Sequence, residues 1–103
     1  MTNNTNTNTM NPTTTATIAE ISQLQPGNVV HCCGSVTALV IAVSEEKILL
    51  MRLLSIRPDF VVGTTPSIHN GNVVWTSGHY FTPFGDYSLA DALNSATKAY
   101  ERL

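Results

Sequence analysis

Two apolar runs constrain this chain more than any other feature. Val36-Thr37-Ala38-Leu39-Val40-Ile41-Ala42-Val43 and Ile48-Leu49-Leu50-Met51-Arg52-Leu53-Leu54 are separated only by the polar Ser44-Glu45-Glu46-Lys47. A sheet with one wet face alternates apolar and polar residues, because successive side chains of a strand point to opposite faces. These runs do not alternate. The β-branched content of the first run favours a strand, and the polar gap has hairpin length, so they predict two paired strands buried on both faces. One face can point into a core of the chain's own making, and the other has to be covered by something else.

The chain has 103 residues, enough for one domain. Its first seventeen residues contain eight Thr and five Asn and carry no charge. Such a segment buries too little apolar surface to offset the entropy of ordering, so residues 1–16 are predicted to be a disordered tail and residues 17–103 one globular domain. Asn3-Asn4-Thr5 matches a glycosylation acceptor, read here as a chance match in an Asn/Thr-rich stretch.

Along the domain, Thr17-Ile18-Ala19-Glu20 has capping-box spacing before a turn or two of helix, which Gln25-Pro26-Gly27 stops. Asn28–Cys33 reads as a first strand, followed by the two apolar runs. Phe60-Val61-Val62 begins a further strand. Asn70-Gly71 lies between Ser67–His69 and Asn72–Trp75 and predicts a tight hairpin turn, since both central residues tolerate positive φ. Ser77-Gly78 is read as another turn, joining Val73–Thr76 to His79–Thr82 in a meander. Ser88 with Asp91 suits a helix start, with Leu89, Leu93, Ala96, Tyr100 and Leu103 on one apolar face. The prediction is a mainly β (α+β) fold: a small bent antiparallel sheet or barrel of five or six strands with one C-terminal helix.

The short opening helix, the segment Leu24-Gln25-Pro26-Gly27-Asn28-Val29-Val30 and the hairpin-linked strands after it resemble small, strongly bent β-barrels of the Src-homology type. The resemblance spans about residues 18–82. It implies architecture and no particular function, because such barrels host many functions.

A helix of about fifteen residues is roughly 22 Å long and covers only part of a second sheet face. A second copy of the chain is the simplest further cover, so a homodimer or higher homo-oligomer is expected. Charge is sparse: five Lys/Arg against seven Asp/Glu, with the basic residues scattered. Without a basic face, duplex nucleic-acid binding is not expected. Neither a secretory signal nor an apolar stretch of membrane-spanning length is recognisable, so no membrane association is expected and a cytoplasmic location is the reading.

Catalytic and metal chemistry find little support. Cys32 or Cys33 with His69 or His79 could supply a nucleophile and a base, but no nucleophile elbow accompanies them. His31, Cys32, Cys33, His69 and His79 lack the paired spacing of zinc ligands, although His31 and Cys33 would share a strand face. The adjacent cysteines predict one thiol facing the core and one facing out, not a loop-closing disulfide. Neither a cofactor nor a metal is implied. Five of the seven aromatic residues fall between Trp75 and Tyr87, with Trp75, His79 and Phe81 expected on one face and Val74, Tyr80 and Thr82 on the other. Aromatic side chains are enriched at interfaces, and core packing is the competing explanation for each.

The resulting expectation is a non-enzymatic, self-associating binding protein: a small regulator, inhibitor or adaptor acting on a protein partner through Trp75, His79 and Phe81. An alternative is sequestration of a small, nucleotide-like anion at a subunit boundary by Arg57, Thr64, Ser67 and Trp75. A third is an enzyme using Cys33 with a histidine.

Overall fold

The hairpin required by the two apolar runs forms, and the rest of the sheet is built outwards from it. The computed structural model describes residues 19–103; the predicted tail, the Asn3-Asn4-Thr5 triplet and Thr17 lie outside the described residues. The strands are β1 Val29–Cys32, β2 Val36–Val43, β3 Lys47–Arg52, β4 Asp59–Thr64, β5 Ser67–His69, β6 Asn72–Val74 and β7 Ser77–Phe81, followed by helix α1 Leu89–Arg102. They form one seven-stranded sheet in the order β5-β6-β1-β2-β3-β4-β7. Every pairing is antiparallel except that of β1 with β6, which is parallel. The strand count exceeds the five or six expected; the predicted hairpin at Asn70-Gly71 forms with both short arms paired and φ of 52° and 79° at the two turn residues.

The sheet is strongly bent and is not closed into a barrel. Its connectivity shows why the bend is needed. Only Trp75 and Thr76 separate β6 from β7, yet β1, β2, β3 and β4 lie between those two strands in the sheet. In a flat sheet the two would be about 24 Å apart, at about 4.8 Å per strand. Two linking residues span roughly 11 Å at most. The sheet must therefore curl until its two ends approach each other. A β-bulge contributes to the curl: Val40 pairs with Leu50 and Ala42 with Leu49, leaving Ile41 as an extra residue in β2.

The predicted meander is corrected at this point. Ser77-Gly78 is not a turn but the start of β7, which pairs with β4. Glycine in a strand can mark a close approach of another group as readily as a bend, and at Gly78 that group is the ring of Trp75.

Two cores result from burial on both faces. On the concave face Leu24, Val30, Cys32, Ala38, Val40, Ile48, Leu50, Val61 and Val73 pack together. On the outer face Leu49, Phe60 and Val62 pack against Ala92 and Ala96 of α1, with Ile41, Ala42 and Met51 half-buried around them. The helix starts as its sequence predicts: the Ser88 hydroxyl accepts from the Asp91 backbone N–H, and the Asp91 carboxylate accepts from that of Ser88. Its buried stripe differs from the predicted one. Ala92, Ala96, Ala99, Leu93 and Tyr100 face the sheet, whereas Leu89 and Leu103 are exposed. Small alanines let the helix approach the sheet closely, and that selects the alanine-rich face over the leucine-rich one. At the far end of α1, the Lys47 ammonium donates to the Tyr100 carbonyl at 2.8 Å and lies over the Tyr100 ring, filling one of the acceptors a helix terminus leaves open.

At the N-terminal side, Ile21–Gln23 forms a single 3-10 turn whose capping box joins Glu20 and Gln23, one turn later than the predicted Thr17–Glu20 box. No helix of the described residues is long and apolar enough to cross a membrane.

Candidate functional site

The gap left by incomplete closure is where side-chain chemistry collects. Gly63 of β4 and Gly78 of β7 are directly paired, and the Trp75 indole lies across both. A methyl group on Gly63 would sit 2.7 Å from the Trp75 Cγ, and one on Gly78 would sit 2.6 Å from its Nε1. The paired glycines thus form a flat seat for the ring, which joins the concave core as a half-buried member.

Beside the ring is an open cleft of about 200 Å³ lined by Cys33, Val73, Val74, Trp75 and Tyr80. Arg52 borders it. This arginine is the last residue of β3 and meets Asp59, its cross-strand partner on β4. Its Nε donates to Asp59 Oδ1 at 2.8 Å and its Nη2 to Oδ2 at 2.6 Å. Asp59 is only 4% exposed, so the carboxylate depends on this fork for both oxygens. The bonds to Asp59 raise the Arg52 pKa above its ordinary value. The remaining Nη1 donates weakly to the Cys33 thiol at 4.0 Å. The guanidinium also stacks on Tyr80, 4.8 Å from the ring centroid. The charges cancel, so the cleft presents aromatic and aliphatic walls beside a neutralised ion pair.

The two cysteines separate as expected: Cys32 is buried and Cys33 exposed, and both are free thiols. Cys33 is not on the strand, however. It begins the turn after β1 with φ 50°, so its side chain shares no strand face with His31. Burial, reinforced by neighbouring Cys33, pushes the Cys32 thiol from an ordinary 9.0 up to about 12. Native protein at pH 8 should therefore react with iodoacetamide at Cys33 alone, Cys32 following only in denaturant; peptide mapping that finds Cys32 labelled at a comparable rate contradicts this. Because the folded pKa is the higher one, the associated stability is complete below about pH 9 and is lost as pH rises towards 12. Denaturant titrations should show that decline, and Cys32→Ala should flatten it.

The predicted binding residues do not form one face. Trp75 lies outside the strands and joins the side of Tyr80, since Gly78 and Tyr80 share the concave face. His79 and Phe81 point to the opposite face, where His79 is exposed and Phe81 half-buried near α1. Nor are Arg57 and Thr64 brought together: Arg57 donates to the Pro83 carbonyl at 2.6 Å, whereas Thr64 ends β4 and donates to the Ser77 carbonyl at 3.3 Å. The length of β4, roughly 17 Å at its rise per residue, separates them. Ser67 is an exposed residue of edge strand β5. His31 and His69 each pair with Asn72, from opposite sides, which puts about two strand spacings, ~10 Å, between them. Among the described residues no group of three or more His, Cys, Asp or Glu could hold a metal ion.

Sequence reasoning missed the Arg52–Asp59 pair, although a signal existed. A lone charge inside a strand buried on both faces needs a partner, and Asp59 opens the next apolar strand across a hairpin.

A second surface lies at the end of the sheet where β3 and β7 finish and β4 begins. The Arg57–Pro83 hydrogen bond ties the loop after β3 to the segment after β7. Around this end Ile56 is 90% exposed, Phe84 68%, Tyr80 50% and Leu53 47%. Phe84 and Tyr87 form a backbone bridge with ring centroids 5.9 Å apart, and Tyr87 packs into the outer core while Phe84 does not.

Fold and site together define a bent β-sheet domain with a covering helix, an unclosed seam and an apolar end. No known protein family, curated protein or solved structure matches the chain.

Proposed function

We propose that this domain is a non-enzymatic, self-associating binding protein that acts through an aromatic and apolar surface. The observation that carries the reading is the concentration of Leu53, Ile56, Tyr80 and Phe84, all large and exposed, at one end of the sheet. Soluble monomers rarely expose contiguous apolar patches of more than a few hundred Å². The ring positions matter as well, since large aromatics dominate the energetics of contact surfaces. His79, exposed on β7, belongs to the same strand as Tyr80 and is retained from the sequence-predicted set.

A second reading, sequestration of a small neutral molecule, is favoured by the apolar cleft between Trp75 and Tyr80. Native mass spectrometry of purified protein separates the two, reporting subunit number and any co-purifying small molecule together. A dimer or higher oligomer at micromolar concentration, reduced at least tenfold in affinity by the double change Ile56→Ser with Phe84→Ser, is the expected result. A bare monomer that stays monomeric at high concentration would sink the self-association reading.

A further inference from the structure

Among the described residues β7 is the last strand of the sheet and pairs with β4 alone, so its outer edge carries backbone groups without a partner there. Natural proteins guard such edges with charge, proline or short length. The opposite edge strand, β5, has three residues and follows Pro66 directly. β7 has five, Ser77-Gly78-His79-Tyr80-Phe81, with neither a carboxylate, a Lys or Arg, nor a proline. An acidic or basic partner strand would find no counter-charge there, whereas a second copy meets an equally neutral edge.

We propose that a second copy of this chain pairs antiparallel along β7 about a twofold axis through His79. The proposal rests on the self-association reading above and specifies where and in what register it occurs. In this register Tyr80 of one protomer lies opposite Gly78 of its partner, and Phe81 opposite Ser77. Each face of the joined sheet then sets a large side chain against a small one, twice by symmetry. The concave-face pair is the more telling. Gly78 has no side chain because the Trp75 ring occupies that space, and Tyr80 of the other protomer, half-exposed beside the cleft, would meet that indole across the strand pair. Aromatic side chains that meet across a strand pair are a stabilising arrangement. Moving the axis to Tyr80 sets Tyr80 against itself and His79 against Phe81, and moving it to Gly78 sets Gly78 against itself, so the Tyr80–Gly78 match is lost either way. At about 150–250 Å² per aromatic side chain, Tyr80 and Phe84 together leave roughly 200–300 Å² of ring uncovered. That is a substantial share of the ~800 Å² per partner that a stable interface buries.

Cross-linking reads the register directly. His79 is exposed, so His79→Cys in a Cys33→Ser background leaves the fold intact. Residues opposite each other have Cβ atoms about 5 Å apart, near the distance a disulfide needs. Mild oxidation should therefore join His79→Cys protomers at least tenfold faster than Ser77→Cys protomers, whose partner positions lie about 13 Å apart along the strand. His79→Lys, which sets two ammonium groups across the axis, should weaken the dimer at least tenfold in sedimentation velocity. A dimer that cross-links faster at position 77, or at neither position, or that tolerates His79→Lys, overturns the β7 pairing while leaving self-association standing. A wild-type monomer overturns both.

Discussion

Arg52→Met should destabilise the fold by about 3–5 kcal/mol, the cost typical of removing one partner from a buried ion pair. Asp59 is 4% exposed, and both its carboxylate oxygens are held by the Arg52 guanidinium. Methionine fills much of the arginine's volume, so the loss comes chiefly from a charge left without water or partner. The double change Arg52→Met with Asp59→Leu should recover most of it, because an apolar pair of similar shape needs neither charge nor hydrogen bond. Equilibrium urea unfolding of the four members of this cycle measures the coupling. Additive losses in the double variant would show that the pair is not the source of the effect. The consequence extends beyond stability, since Arg52 also stacks on Tyr80. Its loss should free the Tyr80 ring and weaken any contact made there.

Gly63→Ala is the second large effect, a loss of about 3 kcal/mol at the upper end of ordinary overpacking. The added methyl would meet Trp75 Cγ at 2.7 Å and its Cβ at 2.8 Å. Neither atom is the free end of a flexible chain, so the indole cannot swing aside without the backbone of the two-residue link between β6 and β7. That link is what holds the curled sheet together across its seam. Trp75 is the single tryptophan, and its emission should shift to the red as the ring leaves its seat. Combining Gly63→Ala with Trp75→Leu should cost less than the sum of the two changes, because the clash disappears with the ring. Unchanged emission and a stability loss under about 0.5 kcal/mol would mean the ring does not depend on the glycine seat, a loss of the size expected of an unremarkable surface change.

Both effects depend on contacts between residues far apart in sequence, which is where the sequence is hardest to read. The β2–β3 hairpin, its burial on both faces and the Asn70-Gly71 turn are legible because each follows from a pattern within a few neighbouring residues. The start of α1 at Ser88 and Asp91 is legible for the same reason: a capping box is a local exchange of hydrogen bonds. The buried stripe of α1 is only partly so. Ala96, Leu93 and Tyr100 are read correctly, but apolarity alone cannot tell that close packing prefers Ala92 and Ala99 to Leu89 and Leu103. Trp75 shows the limit on the site. Its aromatic neighbourhood marks it as important, yet its face depends on two glycines, one of them twelve residues earlier on another strand.

By itself, then, the sequence determined that this chain makes a β-hairpin with two apolar faces, followed by a tight turn and an amphipathic helix. Those outcomes rest on side-chain periodicity and backbone preference, which act over one or two turns of chain. Tertiary structure alone decided what covers each face, which strands stand at the edges and what the glycines are for. Gly78 reads as a turn in isolation and serves as a seat in the fold, because a missing side chain has meaning only once another residue arrives to use the space.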